Sequence, residues 1–148
     1  MIKKSIFPLI AVLFLGCAST DQKTVVVKGE DPDLMDIAGN WYGVYEAEGA
    51  GRKGTLNFTL YRGTRIAEGQ VIMSAGDPDQ ATPLAIKFIS AGSNKIRGEI
   101  GPYKAPDGQE ILSVFHGTVK GDRVEGRFVT KTVEGVEVQQ GKWRAVRK

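Results

Sequence analysis

Thr55-Leu56-Asn57-Phe58-Thr59-Leu60 decides the fold. Leu56, Phe58 and Leu60 share one side and Thr55, Asn57 and Thr59 the other, the period of two that marks a half-buried strand. The same alternation recurs at Lys95-Ile96-Arg97-Gly98-Glu99-Ile100 and at Arg123-Val124-Glu125-Gly126-Arg127-Phe128. Working outward from these, strands are predicted over 40–48, 54–62, 65–74, 84–90, 95–100, 110–119, 123–132 and 136–146. Turn signals separate them, among them Arg62-Gly63-Thr64, Ala91-Gly92-Ser93-Asn94, Lys120-Gly121-Asp122 and Glu134-Gly135. No stretch carries a long amphipathic helical period. Several short strands at this spacing mean an all-β sandwich or barrel.

Glycine narrows the choice. Nineteen glycines in 148 residues is about twice the ordinary share. An apolar-x-Gly-x-apolar pattern recurs around Gly43, Gly69, Gly98, Gly117 and Gly126, and in part at Gly141. Glycine weakens a strand unless the sheet bends sharply or another backbone comes close, so inward glycines on successive strands predict tight coiling and closure. The expected fold is an eight-stranded antiparallel up-and-down barrel. Its inward side chains are Trp41, Tyr45, Leu56, Phe58, Leu60, Val71, Met73, Ile86, Phe88, Ile96, Ile100, Phe115, Val119, Val124, Phe128 and Trp143.

The chain opens with Lys3 and Lys4, then an apolar run from Ile6 to Leu15 that is too short to span a bilayer. The run ends at Gly16-Cys17, and polar sequence follows from Ser19. Phe14-Leu15-Gly16-Cys17 resembles the lipobox of bacterial lipoproteins. That resemblance implies a signal peptide over 1–16, cleavage before Cys17, and a lipid anchor on the sole cysteine of the chain. Ala18 and Ser19 stand where an Asp would retain an enteric lipoprotein at the inner membrane. The implied location is therefore the bacterial cell envelope, anchored at the outer membrane and facing the periplasm. Residues 17–36 read as lipidated Cys and tether, in which Thr24-Val25-Val26-Val27 offers a short edge strand, with a helical turn at 33–37 near the junction, and 37–148 as the barrel domain.

Gly39-Asn40-Trp41 behind that helical turn resembles the opening of lipocalins and the wider calycin group. The resemblance implies a basic residue from the last strand lying on Trp41, a part that Arg144 or Arg147 can take. The mid-chain Thr-Asp-Tyr motif of typical lipocalins is absent, so the likeness is to calycin architecture.

Most chemistry is excluded by composition. One Cys and one His cannot build a metal site of clustered Cys and His or an internal disulfide. The inward list has no carboxylate or imidazole for acid–base catalysis, so the protein reads as non-enzymatic and without cofactor or metal. The formal charge of +3 falls by two if Lys3 and Lys4 leave with the leader, which argues against a nucleic-acid partner. Outward charges such as Arg97, Arg127 and Lys142 rule out a membrane-spanning barrel and read as a soluble face with weak cross-strand pairs.

Loop length is the remaining signal. In a meander barrel alternate connections share a rim, and the longer ones, around 49–53, 75–83 and 101–109, all fall at one end. This rim carries Arg52, Lys53 and Lys104 as donors, Asp77, Asp79 and Asp107 as acceptors, and Tyr103 as an amphipathic contact. The expected function is binding of a small apolar ligand or lipid at this mouth. The alternative is a protein-interaction module, an envelope scaffold or protease inhibitor, with a filled barrel core.

Overall fold

Alternating sequence becomes nine strands and one helix in the computed structural model, which describes residues 24–49, 52–74, 82–105 and 107–148. In chain order these are β1 (Val25–Val26), α1 (Asp31–Ile37), β2 (Gly39–Ala47), β3 (Lys53–Leu60) and β4 (Ile66–Ser74). There follow β5 (Thr82–Gly92), β6 (Lys95–Lys104), β7 (Glu110–Lys120), β8 (Arg123–Thr132) and β9 (Glu137–Arg147). Strands β2 to β9 pair antiparallel with their chain neighbours, and β9 returns to β2 through Trp41↔Arg147 to Ala47↔Gly141. The sheet therefore closes on itself as an eight-stranded up-and-down barrel. Each expected strand falls on one of these within a few residues at its ends.

One seam is incomplete, and the chain's own N-terminal segment fills it. β4 and β5 pair only from Gln70↔Ala85 to Met73↔Thr82, near the long-loop rim. Toward the other rim they part, and β1 enters. Val25 and Val26 face Ala67 and Ile66 of β4, while Lys28 bridges Ser90 of β5. The Val27 amide donates to the Arg65 carbonyl and the Ala91 amide to the Lys28 carbonyl, each at 2.8 Å. Val27 is 1% exposed and Val26 73%, the alternation of a strand with one face in the core. The packed domain thus begins at Val25, inside the segment that the sequence assigns to the tether.

α1 has Pro32 in its first turn and Asp31 and Asp33 near its N-terminus, where fixed φ and negative charge both suit a helix start. Leu34 and Ile37, one turn apart, are buried and close the tight-turn end of the barrel. The Trp41 Nε1–H donates to the Ile37 carbonyl at 2.9 Å, fixing the helix to the first stave. Over Trp41 lies Arg147, its Cζ 5.0 Å from the ring centroid. The same guanidinium donates to Asp122 Oδ1 and to the Asp36, Ala38 and Gly121 carbonyls. Of the two basic residues that the calycin likeness offers, Arg147 takes the position. Arg144 is exposed.

The lower barrel is filled with rings. Trp41 stacks on Phe58 at 5.8 Å, and contacts continue through Phe88 and Phe115 to Trp143. Apart from Met73, whose side chain lies outside the described residues, every side chain expected to face inward is buried or half-buried. The inward glycines make room for these rings. Phe58 is the cross-strand partner of Gly69, Phe115 of Gly98, Trp143 of Gly126 and Phe128 of Gly141. A Cβ on Gly98 would lie 2.2 Å from Phe115 Cζ, and one on Gly126 would lie 2.6 Å from Trp143 Nε1.

Candidate functional site at the looped rim

The interior changes character between waist and mouth. Stepping by two along β7 toward the long loops leads from Phe115 to Ser113, then Ile111. The same step along β8 leads from Phe128 to Thr130, then Thr132. Ser113, Thr130 and Thr132 are buried, and among the described residues they are the buried polar side chains. Burial of a hydroxyl is costly unless it is hydrogen-bonded, and each of these has a partner. Ser113 Oγ and Thr130 Oγ1 are 2.6 Å apart, and Thr132 Oγ1 accepts from the Val136 amide at 3.2 Å. Tyr103 leans in from β6 to place its hydroxyl 3.4 Å from Ser113 Oγ.

Tyr45 of β2 completes the ring of hydroxyl-bearing side chains. Its ring meets Phe128 edge-on at 5.8 Å, and it covers Gly54, where a Cβ would sit 2.3 Å from Tyr45 Cε1. Burial pushes its phenol pKa above the usual 10.0, with a further upward push from Tyr103 and an opposing one from the Arg52 charge. The site is thus an apolar floor of Phe115 and Phe128 under the hydroxyls of Tyr45, Tyr103, Ser113 and Thr130, with a guanidinium nearby. Such a lining can hold an apolar body below and hydrogen-bond a polar group above. Among the described residues that line it there is no carboxylate or imidazole.

The residues expected at the rim separate in the structure. Arg52 and Tyr103 belong to the mouth, although Tyr103 is half-buried and turned inward instead of standing free on its loop. Lys53 is on the outer wall, 3.2 Å from Glu46 in an exposed ion pair. Lys104 is exposed at the end of β6, opposite Glu110. Asp107 shapes its own loop, its Oδ1 accepting from the Gln109 amide at 3.0 Å. Asp77, Asp79 and Cys17 lie outside the described residues. The hydroxyl set of Ser113, Thr130 and Thr132 is absent from the sequence-based site. Its signal was available: each lies on the inward phase of a strand whose other inward positions are apolar.

The fourth connection at this rim, between β8 and β9, bears Val133 and Val136, which are 56% and 62% exposed, beside an exposed Val138 on β9. Compared with protein-family models, with curated proteins and with solved structures, the chain gives no match.

Proposed function

We propose that this protein is a non-enzymatic envelope lipoprotein, anchored through Cys17, whose barrel takes a small lipid-like ligand at the looped mouth. The observation that carries the reading is the hydroxyl set above the aromatic floor. A core that served only to be filled would gain stability from apolar side chains at 113, 130 and 132. Hydroxyls at inward positions beneath a looped rim suit a ligand with an apolar body and a polar end. Arg52 adds a cation for that end if it is anionic.

The test is native mass spectrometry of protein purified from its own envelope. The wild type should retain a small molecule, and a Ser113→Val, Thr130→Val variant should lose it while keeping its melting temperature within a few degrees. Equal retention by both would place the ligand elsewhere. The anchor is tested separately. Cys17→Ser should leave the leader uncleaved or release the protein from the membrane fraction, and a mature chain without added lipid mass would end that part of the reading.

A second reading, a protein-interaction module, is favoured by the exposed valines at 133, 136 and 138 on the same rim. Val133→Asp with Val136→Asp should then abolish copurification of an envelope protein while leaving the small molecule in place.

A further inference from the structure

Weak opposite-charge pairs are present on the outer wall, as at Lys87↔Glu99 and Glu125↔Arg144, but one row departs from them. Arg97, His116, Arg127 and Lys142 are successive Cα partners on β6, β7, β8 and β9. All are exposed, so they stand as one row across the barrel at about 5 Å per strand. Like charges directly opposite each other destabilise a sheet, and Arg127 and Lys142 stand so here. Arg127 reaches Glu48 at 2.9 Å, but among the described residues Arg97 and Lys142 form no ion pair. The row ends at Glu46, the next partner of Lys142, and Glu46 is held by Lys53 at 3.2 Å.

Three members of the row, Arg97, His116 and Arg127, line a groove of about 940 Å³. Lys28, Lys95, Arg97, His116 and Arg127 line it against one acidic side chain, Glu125. Ser90, Ser93 and Thr118 add hydroxyls to the lining, with Ala91 and Ile96 between them, and the Asp33 carboxylate lies beside Gly92. Arginine forks flanked by hydroxyls are the chemistry of phosphate recognition.

Lys28 of this groove lies four residues after Thr24, where the described chain begins. Six residues lie between Cys17 and Thr24, seven backbone steps with a reach of at most about 24 Å. We infer that this groove docks on anionic phospholipid, taking headgroup phosphates between the cation row and the hydroxyls, so that the barrel lies on the membrane instead of swinging free of it. The argument for the membrane over another anion rests on the lipid-anchored reading above, whereas the charge and shape of the groove do not.

The experiment uses the mature protein reconstituted in vesicles of phosphatidylethanolamine, with and without phosphatidylglycerol, and follows amine labelling at each lysine by mass. Labelling of Lys28 and Lys95 should slow about fivefold or more on the anionic vesicles only, the effect expected of each basic side chain brought to an anionic surface. Lys131 on β8, outside this groove, serves as the control and should be unchanged. Added salt, or Arg97→Gln with Arg127→Gln, should restore fast labelling. Equal protection on neutral vesicles overturns the proposal. Absence of protection on both also overturns it, and leaves the groove to an acidic protein segment. The mass of the mature protein reports lipidation independently. If Cys17 carries no lipid, sedimentation with the same two vesicles replaces the labelling, and salt-sensitive binding to the anionic ones alone is the supporting result.

Discussion

Phe58, Phe115, Phe128 and Trp143 each lie over a glycine on the neighbouring strand, and that pairing explains why glycine is tolerated at the centre of so many strands. A ring fills the space that a side chain on the next strand would occupy, so the strand loses little packing and the barrel coils tightly. Gly126 is the most constrained. A Cβ there would lie 1.8 Å from the His116 carbonyl oxygen as well as against the Trp143 ring. Backbone cannot yield as a flexible side chain does. Gly126→Ala should therefore destabilise the protein by about 3 kcal/mol or more, at or beyond the usual cost of overpacking, measured by urea unfolding. An effect under about 1 kcal/mol would mean that the sheet shifts freely at this point.

Tyr45 gives a pH dependence with a definite sign. Burial is the largest cause of its raised pKa, so the folded protein holds the phenolic proton to a higher pH than the unfolded chain. Its contribution to stability is intact below the ordinary value of 10.0 and is lost as pH rises through that value and the raised one. Phenolate absorbance should show one late-titrating tyrosine at the mouth that Tyr45→Phe removes. The same substitution should flatten the fall in melting temperature above pH 10. Unchanged curves would place the phenol in water.

Among the elements, β1 closes a seam of the barrel with only two paired residues. Its two paired residues and Val27 fill the only stretch where β4 and β5 lack each other. Val27→Ala should cost about 2 kcal/mol, the transfer value of a fully buried valine with the gap it leaves. Hydrogen exchange should accelerate first at the Val27 and Ala91 amides, which join β1 to β4 and β5, and leave the β7–β8 ladder slow. Uniform acceleration would show that the seam opens only with the whole barrel.

The eight staves were legible because one face is buried and the other wet, which writes a period of two into 55–60, 95–100 and 123–128. β1 was legible only as a short edge pairing over 24–27, because Val27 is buried through a gap between strands 40 and 65 residues further along the chain. The mouth was legible in part. Loop length placed the rim correctly, but side-chain direction decided its chemistry. Tyr103 was read as a loop contact and turns inward, while Ser113 and Thr130 were passed over because small polar residues on a strand read as outward-facing. The basic row was hidden for a related reason. Arg97, His116, Arg127 and Lys142 are far apart in sequence, and only register makes them neighbours.

On the scale of the whole molecule, seven of the eight staves are joined to the next by hairpins of chain neighbours, and only β2 and β9 meet from opposite ends. The hydrogen bond from Arg147 to the Ala38 carbonyl spans 109 residues. Contacts between chain neighbours form quickly, whereas bringing distant segments together carries a larger loop-closure cost, so the meander should assemble first and close last. The consequence is a difference between two rates. Arg147 should be absent from the folding transition state, and Arg147→Ala, costing about 2 kcal/mol through its lost hydrogen bonds, should speed unfolding roughly thirtyfold while refolding stays within about a factor of two. Stopped-flow kinetics decide the order. A refolding rate that falls by that same thirtyfold would mean that the ends meet early and the hairpins grow between them.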